Sequence, residues 1–78
     1  MRGYAQDNPF QREREQLGRT IKAIRERRRI TQEELAAKAH VDVSYLAKIE
    51  NGYVNTTIRY LIKISRGLGV KAKELLEF

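Results

Sequence analysis

The chain has 78 residues, a net charge of +6, a pI near 10.0 and no cysteine. These values predict a single small domain without disulfides or thiolate metal sites, and its short apolar runs fall far below the roughly 20 residues of a membrane span. With no apolar signal-peptide core at the N-terminus we expect a cytoplasmic protein, and its basic character makes nucleic acid or an anionic surface a natural partner.

The first third of the chain predicts an arm followed by one long helix. Residues 1–9 have the character of a flexible N-terminal arm, closed by Pro9 at a helix start. Helix 1 is expected from about Phe10 to Arg28. Its apolar stripe has helical spacing and consists of Leu17, Ile21 and Ile24.

Two short helices come next. Thr31 and Glu34 have the spacing of a capping box that begins helix 2, expected over Gln32 to Ala39. His40 should end this helix in a left-handed conformation. Asp42 is the predicted cap of helix 3, which Asn51-Gly52 should stop. The expected inward residues are Leu35, Ala36, Ala39, Leu46 and Ile49.

The last third predicts two more helices. Thr56 or Thr57 should cap helix 4, which we expect to run from about Ile58 to Leu68 and to end at Gly69. Its predicted buried residues are Ile58, Leu61, Ile64 and Leu68. Helix 5 is expected over Lys71 to Glu77. The predicted fold is therefore all-α, a compact five-helix bundle over residues 10–78.

The order and length of helices 2 and 3 indicate a helix-turn-helix over about residues 32–51. Small residues, Ala36 and Ala39, lie where the two helices must approach, and Val41 fills the turn. A tight corner between any two helices of a bundle would have the same spacing. The outward face of helix 3 is unusually plain, which suits close approach to a major groove.

Catalytic and metal chemistry have little support in the sequence. The single histidine, His40, stands in a turn without a neighbouring cysteine or paired acid. Metal-ligand clusters and a glycine-rich phosphate loop are missing from the sequence. We therefore predict no catalytic residue, no metal, no cofactor and no small-molecule ligand.

Four segments in order carry a family resemblance: "LGRTIKAIR", "ITQEELA", "IENG" and "GLGV". Across Leu17 to Val70 the chain resembles the phage-repressor and Cro-like helix-turn-helix family, also called the xenobiotic-response-element type. The segments "SYLAKIENG" and "TTIRYLIKI" are most similar to controller proteins of restriction–modification systems. The resemblance implies a lambda-repressor-like domain that binds a palindromic operator in double-stranded DNA as a homodimer.

The resemblance also implies roles for individual residues. The positions that face base edges are Val43, Ser44, Ala47 and Lys48. The positions that contact phosphate or sugar are Gln32, Tyr45, Asn51 with the amides after it, Thr57 and Arg59. Arg25 and Glu50 match a partly buried ion pair. The chain departs from the pattern at Val43, where controllers often have arginine, at His40 for a usual glycine, and at Gly67 for a usual alanine.

The remaining expectations concern partners. Apolar residues near the C-terminus predict a dimer interface, formed by Tyr60, Leu75, Leu76 and Phe78 with help from Ile62. A second hypothesis is an antitoxin or other module whose main role is to bind a partner protein. RNA binding is a third hypothesis, although the chain lacks exposed aromatic platforms.

Overall fold

The computed structural model describes residues 10–78, which form four α-helices and one 3-10 helix without a strand. The helices are α1 (Gln11–Arg27), α2 (Gln32–Ala39), α3 (Val43–Glu50) and α4 (Ile58–Leu68), followed by a 3-10 helix at Ala72–Leu76. The all-α prediction is confirmed. The predicted arm at residues 1–9, with its helix start at Pro9, lies outside the described residues.

Local side-chain caps explain where the helices begin. The Thr31 hydroxyl accepts from the Glu34 amide at 3.0 Å, and the Glu34 carboxylate accepts from the Thr31 amide at 2.7 Å. This is the predicted capping box. Asp42 and Thr57 cap α3 and α4 by accepting from amides three residues later.

Left-handed residues end α2 and α4. His40 has φ 58° after α2, and Gly69 has φ 74° after α4. The left-handed conformation exposes the last helical carbonyls to amides beyond the helix. In the turn after α2, the Val41 amide accordingly donates to the Ala36 carbonyl at 3.0 Å.

One hydrophobic core joins all of these elements. α1 packs on α3, and α2 packs on both α3 and α4. The 3-10 helix closes the core against α4 and α1. The buried apolar residues are Leu17, Ile21, Ile24, Leu35, Ala36, Ala39, Leu46, Ile49, Leu61, Ile64, Leu68 and Leu75. Within residues 10–78, no helix is both long and apolar enough to cross a bilayer.

The prediction of five α-helices is wrong at its last member. The segment after Gly69 forms only a five-residue 3-10 helix, in which the Glu74 carboxylate accepts from the Lys71 amide at 2.9 Å. Tight 3-10 winding is usual in such short helical pieces. It is enough to place Leu75 fully inside the core.

Ile58 is the second correction. We expected its side chain to be buried, but it is 74% exposed. α2 approaches α4 near Gly67, where a Cβ would lie 3.0 Å from Leu35. This close approach lies in the last turn of α4, away from Ile58, whose side chain at the start of the helix remains uncovered.

Candidate nucleic-acid interface

The outward face of α3 presents two polar side chains one turn apart. Ser44 and Lys48 are exposed, whereas Val43 and Ala47 are half-buried. Val43 packs partly against the core. The four residues predicted to face bases therefore lie together, but only two of them project freely. Small neighbours leave the backbone of α3 accessible to a groove.

A second short network lies at the start of this face. The Ser44 hydroxyl donates to Oδ2 of Asp42, and the same oxygen accepts from the Tyr45 amide at 3.2 Å. The hydrogen bond from Ser44, then the one from the Tyr45 amide, lowers the pKa of the Asp42 carboxyl below its ordinary value. Asp42 therefore serves α3 as an ionised cap.

A buried ion pair fixes the other end of α3. Arg25 donates through Nε to Glu50 Oε2 at 2.8 Å and through a terminal nitrogen to Oε1 at 3.1 Å. This bidentate bond raises the pKa of Arg25 above its ordinary value. Gln32 adds a third donor to Glu50 at 2.9 Å. The expected ion pair of Arg25 and Glu50 is present, and the bond from Gln32 joins α2 to the same carboxylate.

Two glycines allow α1 to approach the end of α3 closely. A Cβ on Gly18 would lie 2.6 Å from the carbonyl oxygen of Ile49 and closer still to that of Glu50. Gly52 has φ 74°, and a Cβ there would lie 2.8 Å from the Glu15 side chain. Arg14 donates to the Gly52 carbonyl at 3.1 Å. Any larger residue at Gly18 would displace α3.

Four of the residues predicted to contact phosphate lie at the start of α2, just after α3 and at the start of α4. Asn51, Thr57 and Arg59 are exposed, and Gln32 is half-buried. The Gln32 amide group has two hydrogens, so its bond to Glu50 leaves one for another acceptor. Asn51 directly follows α3, and the other two residues lie at the start of α4.

The backbone amides after Asn51 require a correction. We expected them to be available to phosphate. The amides of Gly52 and Tyr53 instead donate to the carbonyls of Ile49 and Lys48 at 3.0 and 2.9 Å. These bonds close the end of α3, so the amides of Gly52 and Tyr53 are committed within the chain, whereas the Asn51 side chain is exposed.

Tyr45 and Tyr60 form an aromatic pair between α3 and α4. Their ring centroids lie 4.7 Å apart, and Lys63 Nζ lies 5.8 Å from the centroid of Tyr60. The Tyr45 hydroxyl reaches Thr56 at 3.4 Å. Lys63 also donates to the His40 carbonyl at 3.3 Å, which ties α4 to the turn of the helix-turn-helix.

The predicted dimer residues separate into two groups. Leu76 and Phe78 are 48% and 51% exposed, as an interface requires. Leu75 is fully buried, and Tyr60 packs on Tyr45. Leu75 is therefore not available to a partner, whereas Tyr60 is half-buried and stays a predicted interface residue.

Several contacts of this region were absent from the sequence predictions. The close approach at Gly18, the Arg14 bond to Gly52 and the Lys63 bond to His40 join residues 20 or more positions apart, and only the folded chain brings them together. The glycine at position 18 was the one available indication, since glycine inside a helix is costly without a packing reason. Among residues 10–78, no group of side chains is arranged to hold a metal ion.

Comparison with known proteins supports this geometry. The helix-turn-helix family model matches residues 21–75. The control protein C.MunI of Mycoplasma sp is 40% identical over 60 residues, covering 76% of this chain and 81% of C.MunI. The crystal structure of the restriction–modification controller C.AhdI from Aeromonas hydrophila superposes with a TM-score of 0.77 at 26% identity, covering 78% of this chain and 92% of C.AhdI.

Phage repressors are also among the relatives. The immunity repressor protein of Bacillus phage phi105 is 38% identical over 60 residues, covering 77% of this chain. The chain spans only 42% of that repressor's length. These names describe regulators rather than enzymes, and they include both phage and restriction–modification proteins. The resemblance found in the sequence is confirmed, and the chain belongs to the helix-turn-helix family of the Cro and phage-repressor type.

Proposed function

We propose that this protein is a sequence-specific transcription regulator that binds double-stranded DNA in the cytoplasm. α3 lies in the major groove, and two copies of the chain bind the two halves of a palindromic operator. The observation that carries the proposal is the exposed pair Ser44 and Lys48 on a helix whose two ends are held by Asp42 and by the Arg25–Glu50 ion pair. Base reading in the major groove requires a rigid helix whose outward side chains are small enough to let its backbone approach the bases.

The charge distribution supports a division of labour. Residues 17–30 carry a net charge of +5 and residues 53–78 a net charge of +3, whereas residues 31–52 carry −2. The helix-turn-helix itself therefore supplies little electrostatic attraction to DNA. Its flanks supply most of the affinity through phosphate contacts, and binding weakens steeply as salt rises.

A homodimer is supported by apolar surface on one side of the subunit. Ile58 and Ile62 lie one turn apart on α4 and are 74% and 36% exposed. Their neighbour Leu61 lines a shallow groove of about 210 Å³ together with Leu76 and Phe78. Covering such a patch favours association. In a symmetric dimer the same patch meets itself, so the two α3 helices are related by a two-fold axis.

Selection of bound sites from random double-stranded DNA tests the proposal. We expect a palindromic consensus whose two halves lie about one helical turn apart, or a multiple of it, because dimers of this kind place two recognition helices on one face of the duplex. Recovery of unrelated sequences would contradict sequence-specific binding. A consensus without two-fold symmetry would contradict the symmetric dimer alone.

A further inference from the structure

We infer that the Ser44 hydroxyl acts only as a hydrogen-bond acceptor toward DNA and so selects a base that presents an exocyclic amino group. The inference rests on the proposed function and assigns Ser44 a defined polarity within it. A serine hydroxyl can ordinarily bond to donors and acceptors alike. Here its polarity follows from Asp42.

The geometry occupies the only hydrogen that the Ser44 side chain can donate. Ser44 Oγ donates to Oδ2 of Asp42, the residue two positions earlier. A hydroxyl has one hydrogen and two lone pairs, so the Ser44 oxygen then has only lone pairs to offer outward. Ser44 is exposed on the outward face of α3, where a base edge would meet those lone pairs.

The structure favours the ionised form of Asp42, which strengthens the hydrogen bond that it accepts from Ser44. Its carboxylate also accepts from the Tyr45 amide at the start of α3. The positive end of the helix dipole favours a negative charge at that position. The pKa of Asp42 is lowered, first by the hydrogen bond from Ser44 and then by the one from the Tyr45 amide. An ionised carboxylate can only accept, so it cannot reverse the direction of the bond from Ser44.

The consequence for recognition follows from the edges of the bases. In the major groove, adenine N6 and cytosine N4 are donors, whereas guanine O6, purine N7 and thymine O4 are acceptors. When its hydrogen is already engaged, the Ser44 oxygen can accept from the amino groups of adenine and cytosine. It cannot bond to the acceptors of guanine, thymine or purine N7. Lys48 has the opposite polarity, since its ammonium group only donates. The face therefore combines an acceptor at Ser44 with a donor one turn later.

Base analogues in the selected operator test the inference. Ser44→Ala first identifies the base pair at which discrimination depends on Ser44. At that pair, adenine is replaced by purine, or cytosine by 2-pyrimidinone, which removes the amino group alone. We expect the wild-type protein to lose affinity by about 3- to 10-fold, the size of one hydrogen bond, and the Ser44→Ala protein to lose much less.

Acceptor-deleted analogues are the matched DNA control. A 7-deazapurine or 4-deoxygenated thymine analogue at the same pair should affect wild type and Ser44→Ala equally. A Ser44-dependent loss with these analogues, but not with the amino-deleted ones, would overturn the inference. So would a Ser44→Ala protein that discriminates at every position like the wild type.

Asp42→Gly tests the origin of the polarity. Glycine is an acceptable cap, so α3 should remain folded, which circular dichroism checks. Without the carboxylate the Ser44 hydroxyl can rotate and donate as well as accept. The ratio of affinities for the selected operator and for one in which the base presents a carbonyl oxygen in place of the amino group should therefore fall toward one. An unchanged ratio would overturn the role of Asp42. Failure to recover any consensus from random DNA would instead contradict the proposed function, so the two failures are distinguishable.

Discussion

Three side-chain hydrogen bonds converge on Glu50 at the end of α3. Its side chain is 1% exposed and accepts two bonds from Arg25 and one from Gln32. A buried carboxylate is tolerated only when such partners replace its hydration. Ser44 and Lys48, the exposed residues of α3, depend on this hidden residue for their placement.

We predict that Glu50→Gln destabilises the fold by about 3 kcal/mol, because it leaves the Arg25 charge buried without a counter-charge. Urea denaturation followed by circular dichroism measures this change. Glu77→Gln is the control, since Glu77 is an exposed carboxylate after the 3-10 helix and should change stability by less than about 0.5 kcal/mol. Equal midpoints for the two variants would contradict the account of the ion pair.

Some contacts of single residues could be predicted from sequence and others could not. The Thr31–Glu34 capping box depends on residues three positions apart, so it follows directly from spacing. The Arg25–Glu50 pair followed from the family resemblance. The bond from Ser44 to Asp42 depends on a side-chain rotamer, and the burial of Leu75 depends on how the chain packs after Gly69. Spacing alone carries neither kind of information.

The position of α3 as an element depends on how closely α1 can approach it. Gly18 faces the backbone carbonyls of Ile49 and Glu50 with no room for a side chain. This contact sets the distance between α1 and the end of the recognition helix. It also explains a glycine in the middle of α1, where helix propensity would favour another residue.

We predict that Gly18→Ala destabilises the protein by about 2 kcal/mol, despite the better helix propensity of alanine, because a methyl group overpacks the contact with α3. The protein that remains folded should also bind operator more weakly. Gly69→Ala is the comparison, since its left-handed φ of 74° makes alanine strained without crowding α3. Operator binding by folded Gly18→Ala equal to that of Gly69→Ala would contradict a positioning role.

Helix boundaries were predictable because caps and left-handed ends depend on residues only a few positions apart in the sequence. α2 and α4 have the predicted bounds, and α1 is shorter by one residue at each end. The exposed Ile58 and the 3-10 helix were not predictable in this way. Both depend on which part of α4 its neighbours cover, a property of the assembled core rather than of the segment.

At the scale of the whole molecule, the apolar surface near Ile62 forms the dimer of the proposed regulator, whereas the basic flanks contact phosphate. Dimerisation doubles the number of phosphate contacts and sets the distance between the two recognition helices. A variant that separates the subunits should therefore weaken operator binding without altering the α3 face.

We predict that Ile62→Glu is monomeric at micromolar concentrations at which the wild type is a dimer, because a charge would be buried in the apolar interface. Sedimentation equilibrium measures both masses. Tyr53→Ser is the control, since Tyr53 is 72% exposed and lies outside the apolar groove. A monomeric wild type would contradict the dimer.

In the proposed regulator, α3 supplies the preference for a sequence while the flanks supply most of the affinity. The most direct test is the affinity of Lys48→Ala for the selected operator and for random DNA of equal length, measured at one salt concentration. We predict a loss of about 1–3 kcal/mol on the operator and little change on random DNA. Lys73 is an exposed basic residue of the 53–78 flank, so Lys73→Ala should affect both duplexes equally and slightly. Equal losses of Lys48→Ala on the two duplexes would make Lys48 a phosphate contact and contradict the claim.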